Sequence, residues 1–314
     1  MGKHAGFELA AVISNEDLEL AVQLMWAPVL ARNPKAETRP DVTRQALTAA
    51  LASDEHVVVA VTIEHVVVGL LWLHAWGDAH GVIVYVDEIM LIAELQGAGL
   101  GSRVMHTLEQ AARQSGACAL CLDFMASNAR VRPFYERLGF RSVGYDFRKF
   151  PDANRIASPE QDFRPFDAAR DRDSLARCVA EDCSLHRFEY PVQSLSAVHE
   201  RLAEVVSGRE QAIVSELVDG GFSYVWFEIE SSRWNGKPFA RIRALGAGRA
   251  GLRFDVVSGA LGALERLVVH EGIPMDIYLT LWAPSPELVG NLEVAGYLIG
   301  RTKLSKILSE NEPS

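Results

Sequence analysis

The sequence predicts an α/β fold, α+β in its strand directions, built from two like halves in tandem. Each half is expected to hold a mixed, mostly antiparallel sheet flanked by helices. Three observations predict this. Apolar runs of strand length alternate with helical patterns along the chain. The alternation stops in 149–161, a stretch with two prolines and few apolar residues, and then restarts. Near the end of each half the chain also repeats itself: Tyr135-Glu-Arg-Leu-Gly-Phe140 can be set against Leu292-Glu-Val-Ala-Gly-Tyr297. The glycine–aromatic pair is kept, and the tyrosine becomes Leu292. We therefore divide the chain into 1–150, a linker at 151–162, and 163–314. With 314 residues, 49% of them apolar, each half can bury a core of its own.

The elements follow in order. Phe7–Ile13 reads as a strand. Ser14 with Asp17 reads as a capping box, ahead of Leu18, Val22 and Met25 at helical spacing. Pro28, Pro34 and Pro40 bracket a loop, and Asp41–Ala52 is a second helix. His56–Thr62 and Val66–His74 form a hairpin. Val82–Leu91 is an apolar strand broken only by Asp87 and Glu88. Ser102–Gln114 is a helix with Val104, Met105, Leu108, Ala111 and Ala112 on one face, stopped by Gly116. Ala117–Met125 is a buried strand. Phe134–Leu138 is helical, with Pro133 in its first turn, the one place a helix accepts proline readily. Phe140–Phe147 is expected to close the first sheet. In the second half, strands are expected at Phe163–Phe166, Gln211–Val218, Phe222–Glu230, Phe239–Leu245, Met275–Leu281 and Leu298–Ile307. Helices are expected at Asp173–Leu185, Val257–His270 and Pro286–Val294. Asp219-Gly220-Gly221 and Asn235-Gly236 mark hairpin turns.

Composition narrows the partners. The formal net charge of −10 argues against nucleic acid and mildly favours a cationic substrate such as an amine. No apolar run reaches the ~18 residues of a membrane span, and the N-terminus lacks the apolar core of a signal peptide. The chain starts Met-Gly, but Gly6 stands where a myristoylation signal has Ser or Thr. A cytoplasmic protein with no membrane partner is the expectation, and a homodimer stays open. Cys118 and Cys121 form a CxxC within a strand, where an offset of three puts them on opposite faces. No second ligand pair stands at zinc spacing, so free thiols and no metal are expected.

The chemistry concentrates in two segments. Gln96-Gly-Ala-Gly-Leu-Gly101 lies directly after a strand and before a helix. Missing side chains let the backbone approach a ligand there, several N–H groups then point at one anion, and the helix dipole favours it. That is a device for holding a pyrophosphate. Some thirty residues on, Asn128-Ala-Arg-Val-Arg-Pro-Phe-Tyr-Glu-Arg-Leu-Gly-Phe140 places a tyrosine four residues before a Gly-Phe pair.

Together, in this order and spacing, the two segments resemble the GCN5-related N-acetyltransferase (GNAT) superfamily, over roughly residues 7–148. The resemblance implies two tandem GNAT-like acyl-CoA N-acyltransferase domains, the N-terminal one intact and the C-terminal one degenerate. It implies acetyl-CoA as the cofactor, and direct attack by a small-molecule amine or a protein amino group in a ternary complex. Gln96, Gly97, Ala98, Gly99, Leu100, Gly101 and Ser102 would hold the pyrophosphate. A bulge in the preceding strand would splay it from the next, with the pantetheine in the gap. A backbone N–H of Met90 or Leu91 would face the thioester oxygen, and Asn128 would bond the cofactor near its pantetheine arm. Tyr135 would be the general acid at the sulfur. Asp87 or Glu88 would deprotonate the acceptor; since adjacent strand positions face opposite ways, only one of them is expected to reach the cleft. His74 and His80 are alternative bases. A non-catalytic acyl-CoA-binding or sensing protein of the same fold, or an acyltransferase with a longer acyl chain, are the rival readings. The second half is expected to form a wall of the acceptor site or an interaction surface.

Two further patterns are set aside. Gly246-Ala-Gly-Arg-Ala-Gly251 matches a dinucleotide-binding signature, but Leu252–Val257 after it is β-rich and too little chain remains for that fold. Arg130, Arg132, Arg137 and Arg141 read as a solvated face.

Overall fold

The computed structural model of the protein describes residues 6–12, 15–32, 39–78, 81–152, 162–185, 195–206, 208, 210–217, 222–232, 235–247, 254–270, 275–282 and 284–308. The N-terminal half contributes strands β1 (Glu8–Ala11), β2 (His56–Ile63), β3 (Val66–Asp78), β4 (Gly81–Leu91), β5 (Ala117–Met125) and β6 (Arg141–Lys149). Its helices are α1 (Asn15–Arg32), α2 (Pro40–Leu51), α3 (Leu100–Gln114) and α4 (Arg132–Arg137). The C-terminal half contributes β7 (Arg164–Pro165), β8 (Glu210–Glu216), β9 (Phe222–Ser231), β10 (Pro238–Gly246), β11 (Asp276–Trp282) and β12 (Leu298–Ile307). Its helices are α5 (Ala168–Leu185), α6 (Leu195–Val206), α7 (Phe254–His270) and α8 (Pro286–Val294).

All twelve strands form one sheet, in the order β1-β2-β3-β4-β5-β12-β6-β11-β10-β9-β8-β7. The order is a palindrome of the two halves, and at its centre the last strand of each half has changed sides. β12 lies antiparallel between β5 and β6, and β6 lies antiparallel between β12 and β11. The expectation that the strand after α4 closes the first sheet is therefore corrected: the C-terminal strand takes that place. Local sequence cannot show this, because the two strands are equivalent in the repeat and either could pair with β5.

Two other expectations change. The helix α1 continues through Pro28 to Arg32, although proline forfeits one backbone hydrogen bond there. The helix α6 was not expected, yet Val198 and Leu202 lie four apart on its buried face. Ser14, His80, most of 246–251 and the turn 219–221 lie outside the described residues.

Helices cover both faces. α3 and α4 cover Val84, Val86, Leu120, Leu122, Phe124 and Leu304, while α7 and α8 cover Phe147, Ile277, Leu279 and Leu281. These clusters share a face, since Thr302, two residues from Leu304, stands opposite Tyr145, two residues from Phe147. On the other face α1 and α2 pack on Val58, Ala60, Leu70 and Trp72, and α5 and α6 on Ala212, Val214, Tyr224 and Trp226. Between those two clusters the four central strands present polar residues instead: Asp123 on β5, Arg301 and Lys303 on β12, Asp146 on β6 and Thr280 on β11. The result is a charged trough. The β9–β10 hairpin reaches across from the far half: a Cβ on Gly236 would lie 3.4 Å from Val42 Cγ2 and 3.8 Å from Arg39 Nη1 on the α2 side. Among the described residues no helix is long and apolar enough to cross a membrane.

Candidate active site

The strand β4 pairs with β3 as Leu73↔Val86 and then Trp72↔Glu88, so Asp87 is an extra residue. Such a bulge bends the strand and re-aims its side chains. Parallel pairing with β5 ends at Val86↔Leu122, so β4 and β5 part from Asp87 onward. The expected bulge and splay are therefore present. Ile92 N–H donates to Val68 C=O on β3 at 2.9 Å. The preceding residue faces the other edge of the strand, which turns the Leu91 amide towards the gap. Gln96 Nε2 donates to Leu91 C=O at 3.0 Å and ties the strand end to the glycine turn.

In that turn Gly97 and Gly99 both have φ +81°, a conformation other residues adopt only at a cost. A Cβ at either would meet open space. The turn runs directly into α3, whose first residue is Leu100, and no side chain caps that helix start. Its N–H groups are thus left for an anion.

The bulge also changes the reading of the two acids. Glu88 stands opposite Trp72, on the α1–α2 face. Asp87 Oδ2 accepts from His74 Nδ1 at 2.6 Å and lies 3.9 Å from His56 Nδ1, and His56 stands opposite His74. His74 and Trp72, two apart on β3, share that face. Both carboxylates thus serve one side of the sheet, and the expected alternation fails at the bulge. His56 Nδ1 accepts the Trp72 indole N–H at 3.1 Å, which fixes the tautomer of His56. The set of His56, His74 and Asp87 has its ligand atoms within 4.8 Å of one another, though a cation there would compete with the Trp72 hydrogen bond.

Tyr135, on α4, is 7% exposed and stacks edge-to-face on Phe134 and Phe140. Burial pushes its phenol up to about 12, and the charges of Asp123 and Glu88 add to the shift. Their influence on Tyr135 marks the two acids as its electrostatic neighbours. Asn128 is half-buried, and its Oδ1 accepts from Arg130 Nε at 3.1 Å. Arg130, Arg132, Arg137 and Arg141 are exposed, as expected of a solvated face, with Arg132 paired to Glu136 one turn on.

Sequence reasoning missed the charged trough beside this gap. Asp123 Oδ2 accepts from Tyr85 Oη at 2.6 Å, and Asp123 Oδ1 from Arg301 Nη1 at 2.7 Å. Lys303 Nζ donates to Tyr85 Oη at 3.2 Å and lies 3.2 Å from Asp146 Oδ1, which also accepts from Thr280 at 2.7 Å. Burial alone would raise the Asp123 carboxyl, but Arg301 and Lys303 outweigh it and hold it below the usual range. Burial, with Asp123 and Asp146, carries the Tyr85 phenol well above its ordinary value. The signal was available: Asp123 interrupts an apolar strand just as Asp87 and Glu88 do.

Among the described residues Cys118, Cys121 and Cys178 form no disulfide. A register shift after Val82↔Ala117 leaves Cys118 as an extra residue, and it packs with Cys121 in one cluster beside Tyr85. The two do not fall on opposite faces, because the bulge breaks the alternation.

The C-terminal half repeats the frame with other side chains. Its bulge falls at Arg243, between Ile242↔Phe227 and Ala244↔Trp226. Glu210 and Glu228, at the places of His56 and His74, surround Arg243, with Glu228 at 2.6 Å. Gly139 and Gly296 both have φ +88°, and Phe140 and Tyr297 donate N–H to Tyr135 and Leu292 respectively. Leu292 is fully buried where the first half has Tyr135.

Residues 22–140 match the acetyltransferase (GNAT) family. An uncharacterized N-acetyltransferase of Bacillus subtilis, YycN, is 32% identical over 77 residues, 24% of this chain, and the match spans about half of that relative's length (49%). A GCN5-related N-acetyltransferase from Sphaerobacter thermophilus superposes with a TM-score of 0.65 at 16% identity, over 98% of this chain and 97% of its own. A tandem GNAT protein from the clavulanic acid biosynthesis pathway, solved without AcCoA, gives a TM-score of 0.60 at 13% identity, over 98% of this chain and all of its own. Residues 22–140 thus resemble the acetyltransferase (GNAT) family, and the fold is that of tandem GNAT proteins from end to end.

Proposed function

We propose that the protein is an acetyl-CoA-dependent N-acetyltransferase acting on a small amine or a protein amino group by direct attack with both substrates bound. One observation carries the reading: the gap between β4 and β5 has a glycine turn at its end and Tyr135 and Glu88 within electrostatic reach of each other beside it. The residues fit the cofactor. Two left-handed glycines with open space around them suit a pyrophosphate at the uncapped start of α3, held by the amides of 97–102. The gap suits the pantetheine, with Asn128 at its rim.

Acetyl-CoA bound there supplies a thioester, whose acyl carbon joins the amine nitrogen as its C–S bond breaks. The chain's own groups do the rest. The Leu91 N–H, turned towards the gap, donates to the carbonyl oxygen as charge builds on it. Glu88 attracts the ammonium form of the acceptor and takes its proton through water; Asp87 steadies His74 as a second acceptor for that proton. Tyr135 donates a hydrogen bond to the departing sulfur. With its phenol near 12 and a thiol near 8.5, full proton transfer runs uphill by about 5 kcal/mol. Tyr135 therefore acts as a hydrogen-bond donor, and the thiolate leaves unprotonated. The C-terminal half lacks this hydroxyl, and Arg243 sits in its bulge. We assign that half no catalysis, but a role as wall of the acceptor trough through β12 and the β9–β10 hairpin.

The test is thiol release with a library of amines, read beside mass spectrometry of the products. Amine-dependent release with a gain of one acetyl group is expected. Tight binding of acetyl-CoA with no release above the amine-free blank would instead support a non-catalytic acyl-CoA-binding protein.

A further inference from the structure

We infer that the acceptor carries a carboxylate besides its amine, and that Arg301 binds it. The inference rests on the transferase reading for the position of the reacting amine. Arg301 belongs to β12, so the C-terminal half supplies it to a site built by the N-terminal half. It stands opposite Met125 at the open end of β5, on the face that carries Asp123. Its side chain is one-third exposed although Asp123 beside it is 10% exposed. Burial would weaken its charge, but Asp123, Glu88 and Asp146 outweigh that and hold it firmly charged.

A guanidinium has five N–H donors in a fixed fork. Among the described residues Arg301 uses one, Nη1 to Asp123. Lys303, deeper in the trough, is already engaged with Tyr85, Asp146 and Asp123, and Arg148, further along β6 on the same face, is paired with Asp276 and lies over the Tyr278 ring. Arg301 is thus the cation beside Asp123 and Glu88 with donors left for a ligand, and a planar carboxylate is the group that fits such a fork in two parallel bonds. Glu88, close enough to influence both Arg301 and Tyr135, suits the ammonium end. The trough therefore offers an acid beside the gap and a base facing it, the complement of a zwitterion. A purely structural Arg301 would serve Asp123 alone and be indifferent to the acceptor's charge.

The experiment uses the full chain and matched pairs: lysine and cadaverine, ornithine and putrescine, histidine and histamine, tyrosine and tyramine, phenylalanine and phenethylamine. Binding to CoA-saturated protein is measured by calorimetry, and acetyl transfer separately. For the pair containing the best acceptor, the carboxylated member should bind about 10- to 100-fold more tightly and have the lower KM. Arg301→Gln should collapse that ratio to within about threefold through KM, with CoA affinity retained, and Arg301→Lys should fall between. The wild-type comparison needs no variant, so a misfolded Arg301→Gln leaves the test standing. Equal binding and turnover within every pair, or neither for any compound, overturns the inference. Transfer without a carboxylate preference would sink it while leaving the transferase intact. Carboxylate-selective binding without transfer would support it and sink the transferase reading.

Discussion

Lys303 Nζ lies 3.2 Å from Asp146 Oδ1, and the two residues occupy equivalent positions in the two halves. Lys303 stands opposite Asp123 on β5, and Asp146 opposite Thr280 on β11; counted from the bulges at Asp87 and Arg243, Asp123 and Thr280 correspond. The ion pair therefore sits on the pseudo-twofold axis of the sheet. Three residues on, the same relation recurs: Lys306 of β12 pairs with Glu109 of α3, and Lys149 of β6 with Glu265 of α7, each at 2.7 Å. Each exchanged strand is thus fastened to a helix of the other half, and the halves are interlocked.

The exchange makes a direct prediction about fragments. Residues 1–152 alone lack β12, which pairs with β5 over seven positions and brings Leu304 into the core under α3 and α4. An edge so exposed recruits another strand. Expressed alone, this fragment should aggregate or form a dimer in which a second copy supplies β6. Co-expression with residues 160–314 should restore a soluble complex. A folded, monomeric 1–152 in sedimentation and circular dichroism would contradict the interlocking.

Much of this was legible in the sequence, and the failures share a cause. Strands such as Ala117–Met125 and Leu298–Ile307 follow local periodicity, and their expected limits match the structure. The glycine turn and the Tyr135 helix are local motifs and were readable too. What escaped was set at a distance. That β12 rather than β6 neighbours β5 depends on which of two equivalent strands wins one edge. The common facing of Asp87 and Glu88 depends on a bulge against β3, which strict alternation forbids. Arg301 reaches Asp123 only because of the exchange, so no motif in the first half could announce it.

Tyr135→Phe should lower kcat on the order of 10²-fold and leave CoA affinity nearly unchanged. On the proposed reading the hydroxyl matters chiefly as charge builds on sulfur. The ring, packed against Phe134 and Phe140, survives the change, so the melting temperature should move little. Steady-state kinetics and calorimetry check both halves of the statement. Unchanged turnover would remove Tyr135 from the reaction.

Stability should fall steeply on the alkaline side. The folded pKa of Tyr135, about 12, exceeds the ~10 of an unfolded tyrosine, so its contribution is complete below pH ~10 and is lost as pH rises through about 12. Buried Tyr85 and Tyr297 shift in the same direction. Asp123 has the opposite sign: its depressed folded value contributes above pH ~4 and is lost as pH falls through that value. In a phenolate titration, at least three of the seven tyrosines should resist ionisation past pH 11 and then ionise together with loss of the circular dichroism signal. Smooth titration of all seven near pH 10 in a folded protein would refute this.

The Lys149–Glu265 pair offers a test of how firmly the exchanged strand is held. Both side chains are largely buried, and Glu265 also accepts from Tyr297 Oη at 2.9 Å. Removing one partner leaves the other charge buried and uncompensated, at a cost of about 3–5 kcal/mol. Removing both avoids that penalty, although Tyr297 still loses its acceptor, which costs about 1–3 kcal/mol. Lys149→Met and Glu265→Leu should therefore each destabilise strongly, while the double variant should be milder than the sum and close to the weaker single change. Denaturant midpoints for the four proteins give the coupling directly. Because Lys149 lies on β6 and Glu265 on α7, a coupling above about 1 kcal/mol can arise only if β6 is seated in the C-terminal half. Strict additivity would mean that the strand exchange does not occur in solution.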